Sequence, residues 1–315
     1  MTRFIVRRLL GMIVVMLIIS IITFLLLAAI PNGNPAYRLA GRTATAAEIH
    51  DIEVKYGFNK PIYVQYVRTM KNIFTGQAYS YTQGFNVLDE LRAGLPATLS
   101  LAIGAGVIWL VISIIVGTLA AVRAGRYTDR VLTVLSMAGV SFPPFFLGAV
   151  LLYFLGYKAG IFPLGGYVKF TSNPWQWFVH LVLPWATLSV LFIGFYSRVL
   201  RSNILDTSSE DYVRAARAKG LSERQVLFRH ILRNSLLPII SLWGLDLAQV
   251  IGGGAILTES VYNLHGVGQL AADSIGKLDV VPILVVVIFT AFAVVLLAAV
   301  IDIVYAYLDP RIRLA

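Results

Sequence analysis

Six stretches of the chain run apolar for longer than any element of a soluble core needs. Residues 9–30, 97–122, 131–157 and 280–301 contain no Asp, Glu, Lys or Arg. Residues 178–197 add only His180, and 236–258 add only Asp246. Crossing about 30 Å of hydrocarbon at 1.5 Å per residue takes about 20 residues, so each stretch can span a bilayer as one helix. Together they fill close to half of the 315 residues, which leaves little chain for a soluble catalytic domain. The expected fold is all-α: a polytopic membrane protein with six transmembrane helices. Arg3, Arg7 and Arg8 precede the first stretch as in a signal peptide. A signal's apolar region runs only about 7–15 residues, however, so an uncleaved anchor is expected.

Two polar intervals carry structure of their own. In residues 31–96, Thr45 and Glu48 have the spacing of a capping box, in which each side chain satisfies the other's free backbone amide. Gly57 suits a helix end and Pro61 bars continuation. Tyr63, Tyr66, Val67, Met70 and Phe74 then recur at helical spacing. This interval reads as a folded loop domain, either a cap packed on the membrane face or a docking surface for a partner. In residues 198–234, Ser208 and Asp211 predict a helix start, Gly220 its end, and Ser222 with Gln225 a second capping box. Two short helices therefore meet at Lys219, Gly220 and Leu221, and Tyr212, Ala215, Ala216 and Lys219 fall on one face of the first. Three readings fit: an amphipathic helix on anionic lipid, a nucleic-acid-reading helix-turn-helix, or a socket for a cytoplasmic protein. Membrane spans on both flanks disfavour the second, and the paired-helix shape favours the third.

Composition sharpens the class. The chain is 58% hydrophobic and 13% charged, against about 45–50% and about 25% for soluble domains. Mean hydropathy is +0.77. The net charge of +10 could signal nucleic acid, but its distribution follows topology. With the N-terminus inside, sixteen of the 26 basic residues fall in cytoplasmic pieces, and the short outer loops hold only Lys158, Lys169 and Lys277. Both termini are expected in the cytoplasm, and no nucleic-acid partner is required. There is no cysteine, hence no disulfide or thiolate site. No H-E-x-x-H occurs, and the four histidines fall in separate segments, so no metal or catalytic residue is expected. The G-x-x-x-x-G-K-[ST] loop that cradles nucleotide phosphates is also missing.

Within the spans, Pro143 and Pro144 interrupt the third, and Gly252, Gly253 and Gly254 predict a bend or very close packing in the fifth. Asp246 lies about 12 Å beyond Pro238 along its helix. A carboxylate at that depth avoids lipid. It belongs either to a buried interface or to a water-filled pathway, where Gln249 three residues on would share its face.

The segment from Glu210 through Gly220 to Pro238 (EDYVRAARAKGL, then FRHILRN and LP) resembles the EAA loop of ABC importer permeases, closest to the dipeptide, oligopeptide and nickel class. Arg7-Arg8-Leu9, the Gly57 to Pro61 turn with Gln65-Tyr66, Gly139 to Pro143, Gly253 to Glu259 and Tyr307 to Arg313 extend the resemblance over nearly the whole chain. Arg214 stands where the general motif has glutamate. The resemblance implies domains at 1–30 (basic segment and first span), 31–96 (extracytoplasmic), 97–307 (permease core with coupling loop 198–234) and 308–315 (cytoplasmic tail). It implies coupling to an ATPase through Glu210, Asp211, Tyr212, Arg214, Ala215, Ala216, Lys219, Gly220 and Leu221. From the residues themselves, Asp246, Gln249, Pro143 and Pro144 are the candidates for lining the pathway. The resemblance also implies a homologous second permease, two cytoplasmic ATPases that bind ATP and Mg, an extracytoplasmic binding protein, and a bacterial or archaeal plasma (inner) membrane. The chain itself would bind no cofactor and catalyse nothing. An ion-coupled secondary transporter is the alternative. It would use ionisable groups at mid-membrane and inverted repeats, and only Asp246 lies deep.

Overall fold

The computed structural model describes residues 2–29, 35–41 and 44–308, with side chains for 10–28, 35–37, 39–41 and 44–300. The Pro31 to Asn34 segment, the side chains of Arg3, Arg7 and Arg8, and the arginines of the C-terminal tail lie outside them. In chain order the helices are α1 (Thr2–Ala29), α2 (Pro35–Ala40), α3 (Ala46–Tyr56), α4 (Ile62–Phe74), α5 (Val87–Val122), α6 (Tyr127–Ser141), α7 (Pro144–Leu151) and α8 (Pro174–Ser208). Then follow α9 (Asp211–Ala218), α10 (Glu223–Val226), α11 (Leu232–Gln249), α12 (Ile256–Val261), α13 (Val267–Gly276) and α14 (Val280–Leu308). Single π-helical turns extend α7 (Leu152–Lys158) and join α10 to α11 (Leu227–Ile231) and α11 to its end (Val250–Gly254). Among the described residues the β pairing is one isolated bridge, Tyr79 to Asn86.

Among the described residues, five helices are long and apolar enough to cross a membrane: Leu10–Ala28, Val87–Val122, Pro174–Ser208, Glu223–Gly254 and Val280–Val300. The remaining expected span falls on α6 and α7, which are apolar enough only as a pair and are bent by 97° at Pro143-Pro144, the shape of a broken span or a re-entrant loop. Proline alone kinks a helix far less. Here Phe142 and Pro143 both leave helical geometry (ψ 122° and 133°), so α7 starts afresh with Pro144 in its first turn. The second span begins ten residues before its apolar stretch, because Asn86 caps the Leu88 amide and Pro96 is accommodated inside the helix.

The core lies between α5 and α8. Leu101, Trp109, Leu181, Tyr196 and Leu200 are fully buried there, and Trp109 stacks on Phe192 at 4.3 Å. The backbones come close enough that a β-carbon on Gly117 would stand 2.7 Å from the Ser197 carbonyl oxygen. Small residues give this approach where lipid supplies no hydrophobic drive between helices. Next, α6 is tied to α8 by a shared Ser136–Ser197 hydrogen bond of 2.9 Å. Arg201 adds a two-pronged donation to Asp129, both bonds 2.7 Å. In the fifth span both expectations for the glycine run are met. Gly253 takes φ +125°, and a β-carbon on Gly252 would press on Thr290 and Val294 of α14.

The loop domain follows its local signals. Thr45 and Glu48 form the capping box, and the Thr45 amide and hydroxyl hold the Glu48 carboxyl below its usual range. Gly57 ends α3 at φ +77°. The Gln65 amide then donates to the Phe58 and Lys60 carbonyls, closing the turn. The expected apolar face of α4 divides. Tyr66 and Met70 pack with Phe24 of α1 and Val280 and Leu284 of α14, whereas Tyr63, Val67 and Phe74 are left exposed. Asp279, buried just before α14, accepts from the Ser80 hydroxyl (2.6 Å) and from the Thr82 hydroxyl and amide (2.7 and 3.1 Å). This carboxylate pins the turn at 80–85 to the membrane domain. Asp279→Ala strands those donors at about 1–3 kcal/mol. Amide exchange at Thr82 should rise about tenfold or more while α5 and α8 stay protected.

Candidate functional site

The polar connection between the fourth and fifth spans forms one compact unit. α8 runs on past its apolar stretch to Ser208, so Ser208 does not cap the next helix as its spacing predicted. Its hydroxyl donates to the Leu205 carbonyl, inside α8. Glu210 is the N-cap of α9, at extended φ/ψ and with no side-chain cap bond. Gly220, at φ +78°, ends α9: its amide bonds the Arg217 carbonyl and the Leu221 amide bonds that of Ala216. These two bonds make a Schellman turn, which a glycine permits at positive φ. The second capping box forms as its spacing predicts between Ser222 and Gln225. The helix it starts is not a separate short one, however. The π turn at Leu227–Ile231 carries it into α11, so this segment and the fifth span make one rod from Glu223 up to the break at Gly253.

Side chains clamp α9 between α8 and this rod. Val213 and Ala216 are buried in the cluster that holds Ile204 of α8, Val226 and Ile231. Arg217 donates to both Glu223 carboxylate oxygens (3.0 and 3.4 Å) and to the Ser208 carbonyl (3.4 Å). Arg214 donates to the Ser209 carbonyl (3.1 Å) and pairs with Asp211 at 3.1 Å. Asn234 on α11 donates to the Tyr212 hydroxyl at 2.7 Å. Beneath them, the Ser235 hydroxyl lies 3.2 Å from the Asn203 carbonyl, 3.1 Å from the Thr207 hydroxyl and 3.0 Å from the Ile231 carbonyl. The expected face thus splits by one residue of helical phase. Ala216 turns inward with Val213, while Tyr212, Ala215, Lys219 and Gly220 stay exposed, beside Glu210, Asp211 and Arg214. Leu221 is half-buried. Val213, Glu223 and Ser235 went unread in the sequence. The i, i+3 pairing of Val213 with Ala216 was the local signal for Val213.

The four pathway candidates lie at two places. Asp246 is half-buried on α11, its Oδ2 accepting from the Tyr196 hydroxyl of α8 at 2.5 Å, and Gln249 is exposed one turn on. Pro143 and Pro144 form the elbow between α6 and α7, exposed and half-buried respectively. α8 packs against both groups of helices and is their common wall. A further buried carboxylate, Glu259, accepts from the Thr98 hydroxyl (2.7 Å) and the Gln269 amide (2.9 Å), joining α5, α12 and the start of α13. Among the described residues no group of His, Asp and Glu could hold a metal ion.

Residues 113–314 match the family described as binding-protein-dependent transport system inner membrane component, and residues 1–102 match the N-terminal family of such membrane components. A probable peptide ABC transporter permease of Sinorhizobium fredii is 38% identical over 311 residues, covering 98% of this chain and 99% of its own length. The oligopeptide transport system permease AppB of Bacillus subtilis is 35% identical, covering 99% and 100%. The glutathione transport system permease GsiC of Escherichia coli is 33% identical, covering 99% of each. Among solved structures, a chain of the MetNI methionine ABC transporter superposes with TM-score 0.54 at 19% identity, covering 70% of this chain and 97% of that one. The all-helical fold is therefore that of an ABC transporter permease, and the chain belongs to the binding-protein-dependent transport system inner membrane component family, as the membrane-spanning subunit of an ABC importer.

Proposed function

We propose that the chain forms half of a peptide pathway with a homologous second permease, and that residues 198–234 transmit ATPase closure to the spans. The observation that carries this is the clamp on α9. A displacement of its exposed face must move α8 and the rod that starts at Glu223 together, because Arg217, Asn234 and Val213 tie it to both. Two ATPase subunits, one beneath each permease, bind ATP and Mg. This chain supplies the lever and no hydrolytic group. Peptide cargo is the reading the relatives' names support. Both termini lie on the cytoplasmic side of the inner membrane by the placement of basic residues. The loop domain then faces outward, and exposed Tyr63, Val67 and Phe74 on α4 suit a delivering binding protein. In alternating access, ATP binding draws the two coupling loops together and the pathway opens outward. The differential affinity of the ATPases for the two states supplies the shift.

Ala215 and Ala216 separate docking from folding. Ala215→Trp alters only the exposed face, so stability should stay within about 0.5 kcal/mol. Substrate-stimulated ATP hydrolysis of the purified importer should fall about tenfold, as expected for a central interface contact. Ala216→Trp overpacks the cluster and should instead destabilise the permease by about 1–3 kcal/mol. Unchanged stimulated turnover in Ala215→Trp contradicts the docking role.

Asp246 is assigned to the pathway with Gln249. Asp246→Asn keeps an acceptor for Tyr196 and should leave assembly and basal hydrolysis near wild type, while changing uptake of charged relative to neutral peptides. Asp246→Leu orphans the Tyr196 hydroxyl, at about 1–3 kcal/mol, and should impair uptake more. Normal uptake and higher thermal stability in Asp246→Leu would make the residue a buried interface group.

A further inference from the structure

A groove of about 770 Å³ opens between α5, the start of α8 and the connection that precedes α8. Leu99, Ile103 and Val107 form its floor on successive turns of α5, and Trp177, Phe178 and Trp185 form its wall. The Trp185 ring lies across Gly104, where any side chain would collide. The polar atoms of the wall are spent within the protein. Trp177 donates to the Ser100 hydroxyl (3.1 Å), which also bonds the Tyr167 hydroxyl (3.1 Å), and Trp185 donates to the Ser100 carbonyl (2.9 Å). What remains is an apolar trough open to the surroundings, with Ile103 and Val107 each about half exposed.

Three features orient it. From Pro96 to Ile108 the groove follows α5 for about 18 Å, close to the depth of one leaflet of a bilayer whose core is about 30 Å thick. Exposed Phe170 lines it, and exposed Trp175 stacks on the lining Phe178; aromatic residues of this kind gather at membrane–water boundaries. Lys169 also lines the groove, exposed, and it enters no ion pair among the described residues. Below the groove the same face of α5 continues as Val111, Ile115 and Leu119, all exposed and apolar. α11 differs: exposed Gln249 lies one turn from half-buried Asp246, with Leu245 exposed beside them. One face suits lipid, the other a wet pathway.

We propose that this groove holds one anionic phospholipid, with an acyl chain along α5 beneath the tryptophans and its phosphate at Lys169. The test uses the assembled importer carrying Trp175→Phe, reconstituted in phosphatidylcholine vesicles. These are doped with either phosphatidylglycerol or phosphatidylcholine brominated on its acyl chains. Quenching of tryptophan emission is followed against mole fraction. The difference from a Trp175→Phe, Trp177→Phe variant isolates the groove. Brominated phosphatidylglycerol should quench at about fivefold lower mole fraction than brominated phosphatidylcholine, the preference one lysine gives near a membrane surface. Raised salt should shrink that preference, and Lys169→Gln should abolish it while leaving quenching by phosphatidylcholine intact. Equal quenching by the two lipids, or a preference that survives Lys169→Gln, overturns the proposal. So does the absence of groove quenching by either lipid, which places the second permease over the groove.

Discussion

An eight-residue helix has no stability of its own in water, since isolated helices shorter than about 12–15 residues are marginal. α9 is such a helix, and the coupling account depends on what holds it. Its two buried side chains, Val213 and Ala216, enter the membrane domain's main cluster. Its polar ties reach Ser208 on one side and Glu223 and Asn234 on the other. Neither end can shift without dragging a span. Surface ion pairs contribute little alone, and the Arg214–Asp211 pair, with both partners largely exposed, is of that kind. Burial of Val213 together with several bonds that converge on one short helix is what makes the unit stiff.

The membrane imposes the second constraint, that carboxylates in or bordering the spans find partners inside the protein. Asp129 meets Arg201 with two matched bonds, Asp246 meets Tyr196, and Glu259 meets Thr98 and backbone amides of α13. Each pair joins different helices. They therefore fix which helices are neighbours, while glycines such as Gly117 fix how close those neighbours come.

Local rules were legible in the sequence: span positions, both capping boxes, the Gly57 and Gly220 helix ends and the break at the glycine run. They depend on a few adjacent residues, and their geometry is short-range. Phase and continuity were not legible. Whether Ala216 or Ala215 turns inward is decided by Val226 and Ile204, which sequence spacing does not bring together. The join of the second coupling helix to the fifth span escapes an apolar-window reading, because Arg229, His230 and Arg233 look like loop. The 97° elbow likewise exceeds what a proline pair implies, since the packing of α6 and α7 on α8 selects the angle. At the site, the exposed residues proposed to couple were named as one segment, but the inward turn of Ala216 and the Tyr196 partner of Asp246 needed the fold.

Rigid transmission from α9 to the fifth span is the central claim, and electron–electron double resonance reads it directly. The chain has no cysteine, so spin labels at Lys219→Cys and Leu245→Cys are the only ones it carries when the partner subunits are cysteine-free. In the assembled importer their distance distribution should be narrow, with the same centre in the nucleotide-free and ATP-bound states. Over the same change, the distance from Lys219 to a label on the second permease's coupling loop should shift. A Lys219–Leu245 distance that broadens or moves when ATP binds, while the loops approach each other, would show that α9 flexes on its own and contradict the account.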